Sequence, residues 1–133
     1  MSTESKILNS CRVVAVVGCS ANEERASYRV AKYLKEHGYK IIPVNPSLTE
    51  VLGETCYPDL ASVPEPVEVV DIFRKSEDVP AIVEQAIKIG AKAVWMQEGI
   101  TNDSAAGQAR SADIMVVMDR CMLKEHQRLQ AEK

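Results

Sequence analysis

Five short apolar, β-branched runs separated by amphipathic stretches constrain this chain more than any other feature. The runs are Arg12–Val17, Tyr39–Val44, Val67–Phe73, Lys92–Met96 and Asp113–Met118. None alternates strictly between apolar and polar residues, which is how strands buried on both faces of a parallel sheet read. Between them, Glu24–His37 puts Val30, Tyr33, Leu34 and His37 on one side of a helix, with Gly38 as its stop. Asp78–Ile89 does the same with Val79, Ile82, Val83, Ala86 and Ile89 ahead of Gly90. Asn102–Ser111 reads as a weaker third helix, and Glu4–Asn9 and Leu123–Gln130 as terminal ones. Parallel neighbours need right-handed helical crossovers, so repeated β-α units predict an α/β fold. The expected architecture is a doubly wound, Rossmann-like, five-stranded parallel sheet of order 3-2-1-4-5 in three layers. The link Pro46–Pro66, with four prolines and a Gly-Glu-Thr turn, is expected to be irregular apart from a short helix within Tyr57–Val63. A length of 133 residues suits one domain spanning 1–133.

Composition narrows the function classes. A hydrophobic share of 46% and a charged share of 26% are ordinary for a globular chain, so disorder is not expected. The net charge of −3 argues against nucleic acid, which selects basic domains. No apolar run approaches the ~20 residues of a membrane span, and Met1–Lys6 lacks the features of a signal peptide. A cytoplasmic protein with no membrane partner is expected. The cysteines Cys11, Cys19, Cys56 and Cys121 show no C-x-x-C spacing, so no metal site is assigned and free thiols are expected.

In an open parallel sheet, ligands bind beyond the carboxyl ends of the strands, where strand order reverses. With the order 3-2-1-4-5 that crevice falls between strands one and four. Candidate site residues therefore follow the strands: Gly18-Cys19-Ser20, Asn45-Pro46-Ser47, Arg74-Lys75-Ser76, Gln97-Glu98-Gly99 and Asp119-Arg120-Cys121. The turn Gly18–Asn22 opening a helix aims backbone N–H groups and a positive helix end at one point, which suits phosphate. It is not a full dinucleotide fingerprint, because Ser20 and Glu23 stand where G-x-G-x-x-G needs glycines. Arg25, in the first turn, is the best placed cation. Asn45 replaces the acidic residue that grips a ribose in NAD-binding folds; either it borders a different nucleotide or it only starts a turn. Gly99 allows a ligand close to the backbone, or serves the turn before a helix capped by Thr101 or Asn102. Cys19 has two readings: at a helix N-terminus its thiol pKa would be lowered and the thiol redox-reactive, or it is only a small residue that fits the turn. Cys121 and His126, five apart, fall on different sides of a helix and have no orienting carboxylate, so no catalytic residue is assigned.

These residues resemble the CoA-binding domain at the N-terminus of the succinyl-CoA synthetase α subunit and of ADP-forming acyl-CoA synthetases, and more closely small stand-alone CoA-binding proteins. The likeness is carried by Val14–Ser20, Glu24-Arg25, Val30–Leu34, Gly38–Pro46, Gly53–Pro58, Val69–Arg74, Gly90–Gln97 and Asp119–Met122, and runs from about Ile7 to Leu129. It implies coenzyme A as ligand, with Gly18, Ser20, Asn22 and Arg25 at its phosphates, Cys19 among the cofactor-binding residues, and Asn45 and Pro46 beside the nucleotide. It also implies Phe73, Arg74 and Ser76 near the middle of the ligand, and Gln97, Glu98 and Gly99 nearer the pantetheine arm.

The resemblance stops short of the following domain whose phosphorylated histidine carries the synthetase reaction, so that activity is not expected here. The resulting expectation is a module that binds CoA or an acyl-CoA and is non-catalytic alone. Two alternatives stand beside it: a small CoA-thiol or redox enzyme using Cys19 or Cys121, and an NAD(P)-binding domain. A homodimer pairing sheet edges or the terminal helix is compatible with so small a sheet.

Overall fold

The computed structural model describes residues 2–132; Met1 and Lys133, the outermost residues of the expected domain, lie outside the described residues. The elements run α1 (Thr3–Ser10), β1 (Val13–Val17), α2 (Ala26–Glu36), β2 (Lys40–Val44), β3 (Glu50–Val51), β4 (Glu54–Thr55), β5 (Val69–Ile72), α3 (Val79–Lys88), β6 (Ala93–Met96), α4 (Asp103–Ser111), β7 (Met115–Val117) and α5 (Met122–Ala131). All five expected strands are present, and each begins one or two residues later than expected. The short helix within Tyr57–Val63 is a 3-10 turn at Leu60–Ser62, and Asn102 is the residue that caps α4, its side chain accepting from the Ala105 N–H.

The parallel sheet separates two apolar clusters, which gives the expected three layers. Val14 and Val16 of β1 face α1, α2 and α5, packing with Ile7, Val30, Leu34 and Met122. Ala15 and Val17 face α3 and α4, with Val79, Val83, Ala105 and Ala109. Successive side chains alternate between two faces that are both apolar, which is why the run shows no polar–apolar pattern.

The strand order corrects the sequence reading. The sheet runs β2-β1-β5-β6-β7, so the third long strand, β5, lies between β1 and β6 rather than outside β2. Among the five long strands the order is 2-1-3-4-5, the other common doubly wound arrangement. The link Pro46–Pro66 supplies the reason. It folds into the β3–β4 hairpin, whose two-residue loop has Leu52 and Gly53 at φ 56° and 76°. Beyond it, the Tyr57 N–H donates to Pro43 O at 3.0 Å and the Asn45 N–H to Tyr57 O at 2.9 Å. The outer edge of β2 is thus already occupied, and β5 pairs with the free edge of β1.

Candidate functional site

With this order the sheet reverses direction of growth between β1 and β5, so the crevice lies there and not between β1 and β6. Gly18 leaves β1 with φ 85°, and its N–H donates to Val44 O at 2.9 Å. The Phe73 N–H donates to Val17 O at 2.9 Å, which brings the loops after β1 and β5 into contact. A Cβ on Gly18 would stand 2.6 Å from Phe73 O, so the crossing admits only glycine's hydrogen.

The loop from Gly18 to Arg25 is shaped by its own small polar side chains. Ser27 Oγ, buried, accepts from the Ser20 N–H at 3.0 Å. Ser20 Oγ accepts from the Asn22 N–H at 3.0 Å, and Asn22 Oδ1 from the Glu24 N–H at 2.9 Å. Helix α2 begins after Arg25 with no side chain capping its first turn. Its orphan N–H groups and positive end are therefore left to face the crevice.

Three clefts open along this edge and share walls. One, of about 300 Å³, lies between Gly18, Pro46, Leu60 and Arg74. The second, about 350 Å³, is bounded by Gly18, Ser20, Arg25, Ser27 and Phe73. The third, about 210 Å³, lies between Phe73, Arg74, Gln97, Glu98, Ile100 and Cys121. Gly18 joins the first to the second, Phe73 the second to the third, and Arg74 the first to the third. Of the expected site residues, Gly18, Ser20, Arg25, Pro46, Phe73, Arg74, Gln97 and Glu98 line these clefts.

The other five, Cys19, Asn22, Asn45, Ser76 and Gly99, are not among the residues that line these clefts. Cys19 is fully buried beneath the loop and Asn22 holds the turn. Asn45 does start a turn, its Oδ1 accepting from the Ser47 N–H, while its Nδ2 donates to Cys19 O at 3.0 Å and ties the first two loops together. Ser76 Oγ accepts from the Thr101 N–H at 3.3 Å, and the Gly99 N–H donates to Asp119 Oδ1 at 2.7 Å. Cations are present but partly engaged: Arg74 pairs with Asp78 at 3.3 Å, and Lys124 pairs with Glu98 at 3.0 Å.

Cys19 departs from the helix-end reading. The helix starts at Ala26, well beyond it, and the thiol sits in the apolar cluster instead of at a helix end. Burial pushes its pKa up to about 12, with smaller contributions from Cys56 and Asp71. Cys121, half-buried, precedes the first turn of α5 without a side-chain capping bond and lines the third cleft, whereas His126 is buried and its Nδ1 lies 2.7 Å from the Tyr33 hydroxyl. Among the described residues no group of three His, Cys, Asp or Glu is placed to hold a metal, and no helix is long and apolar enough to cross a membrane.

Sequence reasoning passed over Asp71. It lies in the middle of β5, wholly buried, and accepts from Gln97 Nε2 through Oδ1. An acid in the middle of the otherwise apolar run Val69–Phe73 was the available signal.

Fold and edge together define a doubly wound α/β domain with a three-part groove at its switch point. The chain belongs to the CoA binding domain family, which it matches over residues 12–127. Among its relatives, the uncharacterized protein YneT of Bacillus subtilis is 35% identical over 121 residues, 91% of this chain and 90% of that protein. An ADP-forming acetate–CoA ligase of Methanocaldococcus jannaschii is 32% identical over 89 residues, which are 67% of this chain but only 13% of the ligase. Among solved structures, a hypothetical protein from Pyrococcus horikoshii OT3 superposes with a TM-score of 0.94 at 44% identity, covering 98% of this chain and 93% of that one.

Proposed function

We propose that the chain binds coenzyme A or an acyl-CoA along the groove and carries out no reaction on it alone. The observation that carries this reading is the uncapped start of α2 at the middle of three connected clefts. A pyrophosphate at Gly18, Ser20 and Arg25 would sit against the N–H groups and positive end of that helix. The adenosine then extends past Pro46 toward Leu60, and the pantetheine arm past Phe73 toward Gln97 and Glu98. The ligase relative, named for acetate and CoA, supports the ligand class; the match covers too little of it to support its activity.

The test is a melting panel with CoA, acetyl-CoA, dephospho-CoA, NAD and NADP. Ligand at ~100 times its Kd stabilises by about 2.7 kcal/mol, a shift on the order of 10 °C for a domain of this size. CoA and acetyl-CoA are expected to produce it, and stabilisation by NAD without CoA overturns the reading. Arg25→Ala removes an exposed charge from the phosphate cleft and is expected to weaken CoA about tenfold. Unchanged affinity would remove Arg25 from the phosphate site.

Cys121 favours a second reading, because it opens into the cleft assigned to the arm. Given CoA disulfide as oxidant, the Cys121 thiolate would attack one sulfur, form a protein–CoA mixed disulfide and release CoA thiolate. Mass spectrometry after incubation with CoA disulfide should find one CoA adduct in the native chain and none in Cys121→Ser. An equal adduct in both discards this reading.

A further inference from the structure

Asp71 is the buried titratable group that phosphate binding does not explain. By strand register it stands between Val16 of β1 and Trp95 of β6, both apolar. One oxygen, Oδ1, accepts from Gln97 Nε2, while Oδ2 is buried without a partner among the described residues. An apolar side chain at this position would fill the cluster without burying the partnerless Oδ2, so that oxygen costs stability where it stands. An unsatisfied buried atom of this kind calls for a role.

Its partner leads to the groove. Gln97 follows β6 on the same face as Trp95, is 4% exposed, and lines the third cleft. Because Nε2 is turned inward to Asp71, the amide oxygen of Gln97 is the end left to a ligand. The rest of that cleft is largely apolar, with Ala26, Val30, Phe73 and Ile100. In such surroundings a ligand amide leaving water needs an acceptor for its N–H, and one well-placed acceptor discriminates strongly.

We propose that Asp71 and Gln97 form a specificity pair for the ligand's arm. Asp71 positions the Gln97 amide, and Gln97 Oε1 accepts a hydrogen bond from an amide N–H of a pantetheine chain lying against Phe73. This rests on the CoA reading and adds to it: the phosphate loop recognises the nucleotide, and the pair recognises what the nucleotide carries.

Calorimetry with two probes separates the roles. CoA has the arm, whereas adenosine 3′,5′-bisphosphate has the phosphorylated nucleoside alone. Gln97→Leu is expected to weaken CoA about tenfold, the loss of one hydrogen bond in an apolar site, and to leave the bisphosphate unchanged. Asp71→Asn keeps an acceptor for Gln97 Nε2 and should keep the native ratio of the two affinities. Asp71→Leu removes that acceptor and should lower the ratio as Gln97→Leu does. An unchanged ratio in Gln97→Leu overturns the proposal, and so does an Asp71→Asn ratio as low as that of Asp71→Leu. If Asp71→Leu does not fold, Gln97→Leu and Asp71→Asn decide alone. If the native chain binds neither probe, the CoA reading itself falls, and the pair with it.

Discussion

Gly18→Ala is expected to destabilise the fold by roughly 2–4 kcal/mol and to weaken CoA binding more than tenfold. Two effects add. Gly18 has φ 85°, a conformation that costs an L-residue about 1–2 kcal/mol. The new methyl would also stand 2.6 Å from Phe73 O and 3.0 Å from Arg74 Cδ. The arginine chain can swing away, but the carbonyl cannot. Phe73 is anchored by its N–H to Val17 O, so relief requires β1 and β5 to part at the point where the groove begins. Gly38 and Gly90 provide the control, since both have positive φ and neither would meet any atom within 4 Å. Urea unfolding of Gly38→Ala or Gly90→Ala should report strain alone, about 1 kcal/mol. If Gly18→Ala unfolds no more readily than these, the close approach of the two loops is wrong.

The elements were legible in the chain because each is set by local periodicity. Residues such as Val14 to Val17, bounded by Gly18 and rich in valine, read as a strand buried on both faces, and the spacing of Val79, Ile82, Val83 and Ala86 puts them on one helix face. Strand order was not legible, because it turns on a non-local competition. Tyr57 reaches back to Pro43 and Asn45 and closes the outer edge of β2, and nothing near β5 in sequence records that. The candidate site was less sensitive to this error, since residues after strands reach the carboxyl edge in either order. Gly18, Arg25, Phe73 and Gln97 therefore line the groove as the topology rule requires. What the rule cannot do is separate residues that line the groove from those that brace it. Asn45, Ser76 and Gly99 have the right positions, but their hydrogen bonds run to neighbouring loops. The helix-end reading of Cys19 failed for a related reason: the distance from turn to helix start is fixed by the Ser20–Ser27 and Asn22–Glu24 bonds, which only the folded loop displays.

Asp71→Asn is expected to remove a pH dependence from the stability of the protein. Burial raises the Asp71 pKa from 3.8 to about 8, against a smaller lowering from the Gln97 hydrogen bond. Below the unfolded value, folded and unfolded chains both hold the proton and ionisation costs nothing. Between the two values the unfolded chain releases it and the folded chain does not. Stability then falls with rising pH by about 1.4 kcal/mol per pH unit. Above the folded value both states are ionised and the loss levels off. Asparagine cannot ionise, yet it has nearly the same shape and can accept from Gln97 Nε2. Urea unfolding of both proteins at about pH 5, 6.5 and 8 should therefore give free energies that diverge as pH rises. The divergence favours the Asp71→Asn variant, by on the order of 3 kcal/mol over that range. Groups common to both proteins cancel in the difference, so the divergence reports Asp71 alone. Parallel curves would mean that the carboxyl is ionised in the folded chain. They would also weaken the specificity pair, because a neutral acid beneath the groove is what asparagine can replace without disturbing Gln97.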